Sequence, residues 1–250
     1  MSKHLALRSG NPALQSSTFR KHFSSVGESK MTVSGTVNKT GISLILLMLS
    51  AGYTWNLAQG NPAITGLVIP AIIIGLGLAF ATIFKPTLGH ITVPAYAIAQ
   101  GICLGVISMI FENMHKGIVV QAVFLTFGTL GALLLAYKSG LIEATENFKL
   151  GVAAATGGIA ILYLINFIMS FFGNDVGVIS SNDTMGILFS GFVVVIAALN
   201  LVLDFDFIEE GAEKGAPQYM EWFGAFGLLV TLIWLYLEIL HLLAKLQSRR

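Results

Sequence analysis

The feature that most constrains this chain is the spacing of its charges. Lys39 and Lys85 bound an uncharged stretch, residues 40–84, long enough for two membrane crossings, and "QGNPAITG" at 59–66 supplies Gly, Asn and Pro where a turn would part them. Uncharged intervals at 86–111, 117–137, 150–174 and 184–203 hold one crossing each, and the run after Glu221 is broken only by Glu238 before Lys245. One crossing takes about 20 apolar residues, because each adds ~1.5 Å against a hydrocarbon core of ~30 Å. The pattern predicts seven spans, near 42–58, 66–84, 90–111, 117–137, 150–172, 185–207 and 222–246. With 55% hydrophobic and 11% charged residues, the composition excludes an ordinary soluble domain. The expected fold class is an all-α membrane protein, a seven-transmembrane-helix bundle over 41–247, preceded by a polar basic arm over 1–40 with too little apolar periodicity to build a core.

That arm carries six Lys or Arg and lacks the apolar core of a secretory signal, so no cleaved leader is expected. The positive-inside rule then places the N-terminus in the cytoplasm, together with Lys85, Lys138, Lys149 and Lys214. Lys116, Lys245, Arg249 and Arg250 fall outside; the last three leave open a re-entrant final segment and six full crossings. A bacterial inner membrane is the expected location. Cys103, the single cysteine, lies inside a span and reads as a packing residue. Small residues at Gly101 and Gly105, Gly75 and Ala79, Gly128 and Ala132, and Gly151 and Ala155 have the spacing that lets helix backbones approach closely. No internal repeat supports an inverted-repeat transporter.

Enzyme templates fail. There is no HExxH, CxxC, GxSxG or Walker loop, and the five histidines have no metal-ligand spacing. Ser190, in "ILFSGF", has no paired histidine and reads as a helix-packing residue. The informative groups are the ionisable ones in or near the bilayer, where a charge is costly enough to mark function. Glu112 and His90 sit at predicted span boundaries, where solvation explains them. Glu238 lies 16 residues beyond Trp222, too far for the near interface to solvate it, although pairing with His241 or outward snorkelling is a structural alternative. In "LNLVLDFDFIEEGAEKGAP", Asn200 and Asp204 share a helix face while Asp206 points elsewhere. The acidic stretch Glu209, Glu210, Glu213 and Glu221 against Lys214 reads as a solvated loop or a collector of cations at an inner mouth.

"LVLDFDFIEEG", a last helix with "LYLEIL", and "PAYAIAQGICLGVIS" in the third span together resemble the Bax-inhibitor family of membrane proteins, including its bacterial YccA-like members with extended termini. The resemblance covers about residues 40–246. It implies seven helices with the last one central, and a pH-sensitive leak for cations, notably calcium. In that family the sensor is a pair of acids on the sixth and seventh helices, which maps onto Asp204, with Asp206 as the alternative, and onto Glu238. The same pair would be the metal-binding residues. The last-helix acid is usually Asp in the family, and many members carry an acid where this chain has Gln100, so a third-helix contribution to ion binding is weakened here.

Two carboxylates close together away from water cannot both ionise cheaply, so the expectation is a shared proton that ties the last two helices. Helix rise puts Asp204 about 10 Å from a helix end near Gly211 but Glu238 ~24 Å from Trp222, so the two meet only with tilt or displacement, or Glu238 faces Asn200 instead. Asn200 completes the candidate ion-binding set; His241, Gln100 and Glu112 are candidate modulators. No tightly bound cofactor is expected, calcium being the transported or weakly bound ion. The expected partners are the lipid bilayer, cations and a membrane protein partner, with no nucleic acid. The alternative to a leak is a regulatory protein acting on a membrane protease or a cell-death or stress pathway, to which the basic arm would contribute. An intramembrane aspartyl hydrolase would need two aspartates sharing a water, and no GxGD motif accompanies these acids, so the chain is not expected to be an enzyme.

Overall fold

The computed structural model describes residues 29–249. Most of the basic arm expected over 1–40, and the expected lack of a cleaved leader, lie outside the described residues. Seven long helices carry the chain: α1 (Val33–Gly60), α2 (Val68–Phe84), α3 (Gly89–Met114), α4 (Ile118–Lys138), α5 (Glu146–Ser170), α6 (Thr184–Glu213) and α7 (Met220–Ser248). Each belongs to a segment long and apolar enough to cross a membrane, as the charge spacing predicted. Two 3₁₀ turns, Pro62–Leu67 and Pro86–Leu88, join α1 to α2 and α2 to α3, and a one-turn helix, Gly177–Ser180, precedes α6. The last segment is one continuous helix of 29 residues, not a re-entrant hairpin.

Local chemistry sets the ends. The "QGNPAITG" turn works through Asn61, whose backbone N–H closes α1 on Leu57 and whose side chain accepts from Ala63 to start the next turn. Asp183 precedes the first residue of α6 and accepts from the N–H of Gly186 (2.8 Å), so its side chain caps an otherwise orphan donor. Its carboxyl is held below the usual carboxylate range by that N–H and by the Ser181 hydroxyl, which also donates to it at 2.8 Å. The first helix begins at Val33, earlier than expected, so residues 33–40 are helical and do not belong to an arm. Lys39 can sit inside it because Glu221 neutralises it.

The chain divides into two compact units, one running up to Lys116 and resuming at Phe207–Val230, the other comprising Gly117–Asp206 and the chain from Thr231 on. In the first, α3 lies against α1 with almost nothing between. A Cβ on Gly101 would fall 2.4 Å from the Leu47 carbonyl oxygen, and one on Gly105 would fall 2.4 Å from that of Ala51. Below this contact, Ala58, Val106 and Met109 form a buried cluster. The Thr82 hydroxyl donates to that of Thr92 (2.7 Å) and ties α2 to α3. Gln100 faces Gly75 across the same pair, where a Cβ would meet its amide nitrogen at 2.8 Å. By contrast, Gly128 on α4 and Gly151 on α5 have no neighbour within 4 Å of an added Cβ. Their spacing does not mark a close helix contact, and the expectation drawn from it is corrected.

In the second unit, Ile159 of α5 packs with Val193 and Ile196 of α6, flanked by Tyr163 and by Trp234 of α7. Lys149 at the start of α5 forms an ion pair with Asp206. Near the far end of α7, the Lys245 amine donates to the carbonyl oxygens of Ile179 (2.7 Å) and Gly186 (3.3 Å), pinning the chain that leads into α6.

Candidate functional site

Among the described residues, Asp204 is the carboxyl enclosed without a hydrogen-bond partner. It lies on α6, nine residues before the helix ends, and its solvent exposure is 0%. Neither of its carboxylate oxygens has a hydrogen-bond partner. The Thr231 hydroxyl of α7 faces it without closing a hydrogen bond. One turn earlier, Asn200 is equally enclosed; its amide nitrogen donates to the Thr156 hydroxyl and the Ile196 carbonyl, both at 2.8 Å, and its Oδ1 has no partner. Three oxygen acceptors with no donor therefore lie along one stripe of α6, opposite a threonine. Buried polar groups of this kind are rare in native interiors and each asks for a donor, a proton or a cation.

Glu238 is also buried, on the same face of α7 as Thr231 but seven residues on, about 10 Å further along the axis. Its Oε1 accepts from the Tyr163 hydroxyl of α5 (2.8 Å) and from the Trp234 indole N–H one turn earlier (3.1 Å). His241, exposed, and Lys245 follow on α7 within electrostatic reach. The two acids are thus held differently: Glu238 is tethered by two donors, whereas Asp204 is untethered. No hydrogen bond joins them, and the shared-proton tie between α6 and α7 is not a feature of this structure. Helix rise already indicated this mismatch of level, since the residue of α7 opposite Asp204 is Thr231.

Asp206, the alternative sixth-helix acid, is engaged by Lys149 and points away from Asp204, as the "DFD" spacing requires. Gln100 and Glu112 belong with α1, α2 and α3 to the other compact unit. His90 is exposed, with Nδ1 3.2 Å from the Thr87 carbonyl oxygen. Among the described residues no three His, Cys, Asp or Glu side chains come together in a way that could hold a metal ion.

Sequence reasoning missed Tyr163, for which no motif gave a signal, and it misjudged Glu221. The acidic stretch is not a loop: α6 runs through Glu213, and Glu210 pairs with Lys214 one turn on. Glu221, in the first turn of α7, is 2% exposed and faces inward. Its Oε1 accepts from the backbone N–H (2.9 Å) and the hydroxyl (2.8 Å) of Thr32, and its Oε2 takes the Lys39 ammonium. Thr32 is the N-cap of α1. In a local capping box the residue three beyond the cap would be Glu or Gln and would take the cap's own N–H. Here that residue is Gly35, and a Cβ on it would fall 2.1 Å from Glu221 Oε1. A carboxylate from the far end of the chain fills the place a local one would hold, and glycine leaves it room.

These features define an integral membrane protein of seven helices whose last two carry acids sequestered from water. The chain belongs to the Bax inhibitor 1 like family, which matches it over residues 11–248. No curated protein and no solved structure matches it.

Proposed function

We propose that this protein is a pH-sensitive leak pathway for cations, calcium foremost, in which Asp204 and Glu238 are the protonation and ion-attracting sites. The observation that carries the reading is Asp204, a fully enclosed carboxyl on a membrane helix with no donor to either oxygen. When ionised there, it has neither water nor a hydrogen bond to offset its charge, so a proton or a cation is what the site calls for. Hard cations such as calcium favour carboxylate and carbonyl oxygens, and Asn200 Oδ1 and the Thr231 hydroxyl offer neutral ones beside it. Glu238, two turns along α7, supplies a second negative charge whose position is fixed by Tyr163 and Trp234. Protonation of either acid weakens the pull on a cation, which makes flux depend on pH.

Purified protein in liposomes tests this. Asp204→Asn and Glu238→Gln are expected to flatten the pH dependence of calcium entry, each by removing one titrating site. A pH profile identical to wild type in both variants overturns the assignment of these acids. The reading also places the N-terminus on the cytoplasmic face of a bacterial inner membrane, from the excess of Lys and Arg assigned to that side. A cysteine introduced at Ser139 in a Cys103→Ala background should then react with a membrane-impermeant thiol reagent only in inverted vesicles; labelling in intact spheroplasts reverses the orientation.

A further inference from the structure

We propose that residues Ser29–Thr32 form a strap over the turn between α6 and α7, which opens and closes as a unit about Glu221 while the helices stay folded. The strap is an extended segment paired antiparallel with the turn at Lys30 and Pro217. The Met31 N–H donates to the Ala216 carbonyl (2.7 Å) and the Gln218 N–H to that of Ser29 (2.9 Å). Beyond this ladder, Thr32 donates both its N–H and its hydroxyl to Glu221 Oε1, and Lys39, two turns into α1, meets Oε2 with its ammonium 5.6 Å from the centre of the Trp222 ring. One carboxylate therefore anchors the strap, the cap of α1 and a lysine together, so its loss releases all three at once.

The contrast in burial is what makes this a moving part. Ser29, Lys30 and Thr32 are exposed, and Met31 alone is buried. In the α7 turns that follow, Met220, Phe223 and Phe226 are almost wholly enclosed. Segments held by few apolar contacts open at far lower free energy than the packed core behind them. The turn bends at Gly215, whose φ of 65° suits glycine. An open strap leaves the head of α7 without its tether, and α7 carries Glu238. This link to transport rests on the leak proposed above; the opening itself does not.

Amide hydrogen exchange on the full chain in lipid nanodiscs tests the opening. The expected result is exchange at Met31, Thr32 and Gln218 at least 100-fold faster than in the middle of α3, and a further tenfold acceleration at those amides in Glu221→Gln with α3 unchanged. Strap and α3 exchanging at one rate in wild type, or accelerating equally in the variant, overturns the proposal. Lys30 and Pro217 face each other as an antiparallel pair flanked by the two ladder bonds rather than joined by them, the arrangement with the shorter Cα separation and one within disulfide reach. Lys30→Cys with Pro217→Cys, in a Cys103→Ala background that removes the single native cysteine, locks the strap on oxidation. Locking should slow strap exchange and cut calcium flux at least tenfold, both restored by reductant. Equal flux in the oxidised and reduced forms refutes the link to transport. No flux in wild type or in either form refutes the leak and leaves the exchange result to decide the strap.

Discussion

Asp183 and Asp204 are both aspartates of α6 or its threshold, and the protein treats them in opposite ways. Asp204 is enclosed without a donor, whereas Asp183 is in water with two. The cap at Asp183 contributes to stability as long as it is ionised. Because its folded-state value is depressed, that contribution is fully present above the usual carboxylate range and is lost as pH falls through the depressed value. Thermal unfolding in detergent should therefore show an acid-dependent loss of stability that is smaller in Asp183→Asn, which keeps a capping oxygen but cannot titrate. An unchanged acid limb in that variant removes Asp183 from the effect. Of the buried polar residues, Asp204 and Glu238 were legible in the sequence because an acid inside an apolar helix stands out against its neighbours. Tyr163 was not, since nothing local distinguishes a tyrosine that reaches a carboxylate from one that meets lipid. Glu221 was misread because its partners, Thr32 and Lys39, lie 189 and 182 residues away in the chain.

At the scale of elements, the charge-free intervals located all seven helices because lipid imposes one requirement, length without charge, that a sequence displays directly. The ends were less legible: α1 starts early because a distant acid neutralises Lys39, and α6 runs on through Glu213 because Glu210 and Lys214 support each other one turn apart. Small-residue spacing was only half informative, because it shows that a helix has a flat stripe but not whether another helix or lipid covers it. Between membrane helices close packing replaces the hydrophobic effect, so the difference is measurable. Gly105→Ala forces a Cβ onto the Ala51 carbonyl of α1 and is expected to destabilise by about 1–3 kcal/mol. Gly128→Ala meets nothing and should be neutral or stabilising by up to about 1 kcal/mol. Thermal or denaturant unfolding of the two variants side by side checks the contrast; equal effects would mean α1 and α3 do not touch at Gly105.

For the whole molecule, the long-range hydrogen bonds from Thr32 to Glu221 have a bearing on how it is made. The first helix leaves the ribosome with glycine where its cap partner should be, and the missing carboxylate is translated 189 residues later. Until the last helix is threaded into the bilayer, Lys39 is an unmatched cation in a membrane segment, and the start of the first helix stays provisional. Nascent chains stalled before Glu221 should leave a cysteine placed at Thr36, which is 0% exposed in the finished fold, open to thiol reagents, while chains released after the last helix should shield it; equal labelling in both would mean the early helix is complete on its own. The bundle is thus signed off by its final span, since a chain abandoned partway lacks the carboxylate that meets Lys39 in the finished fold.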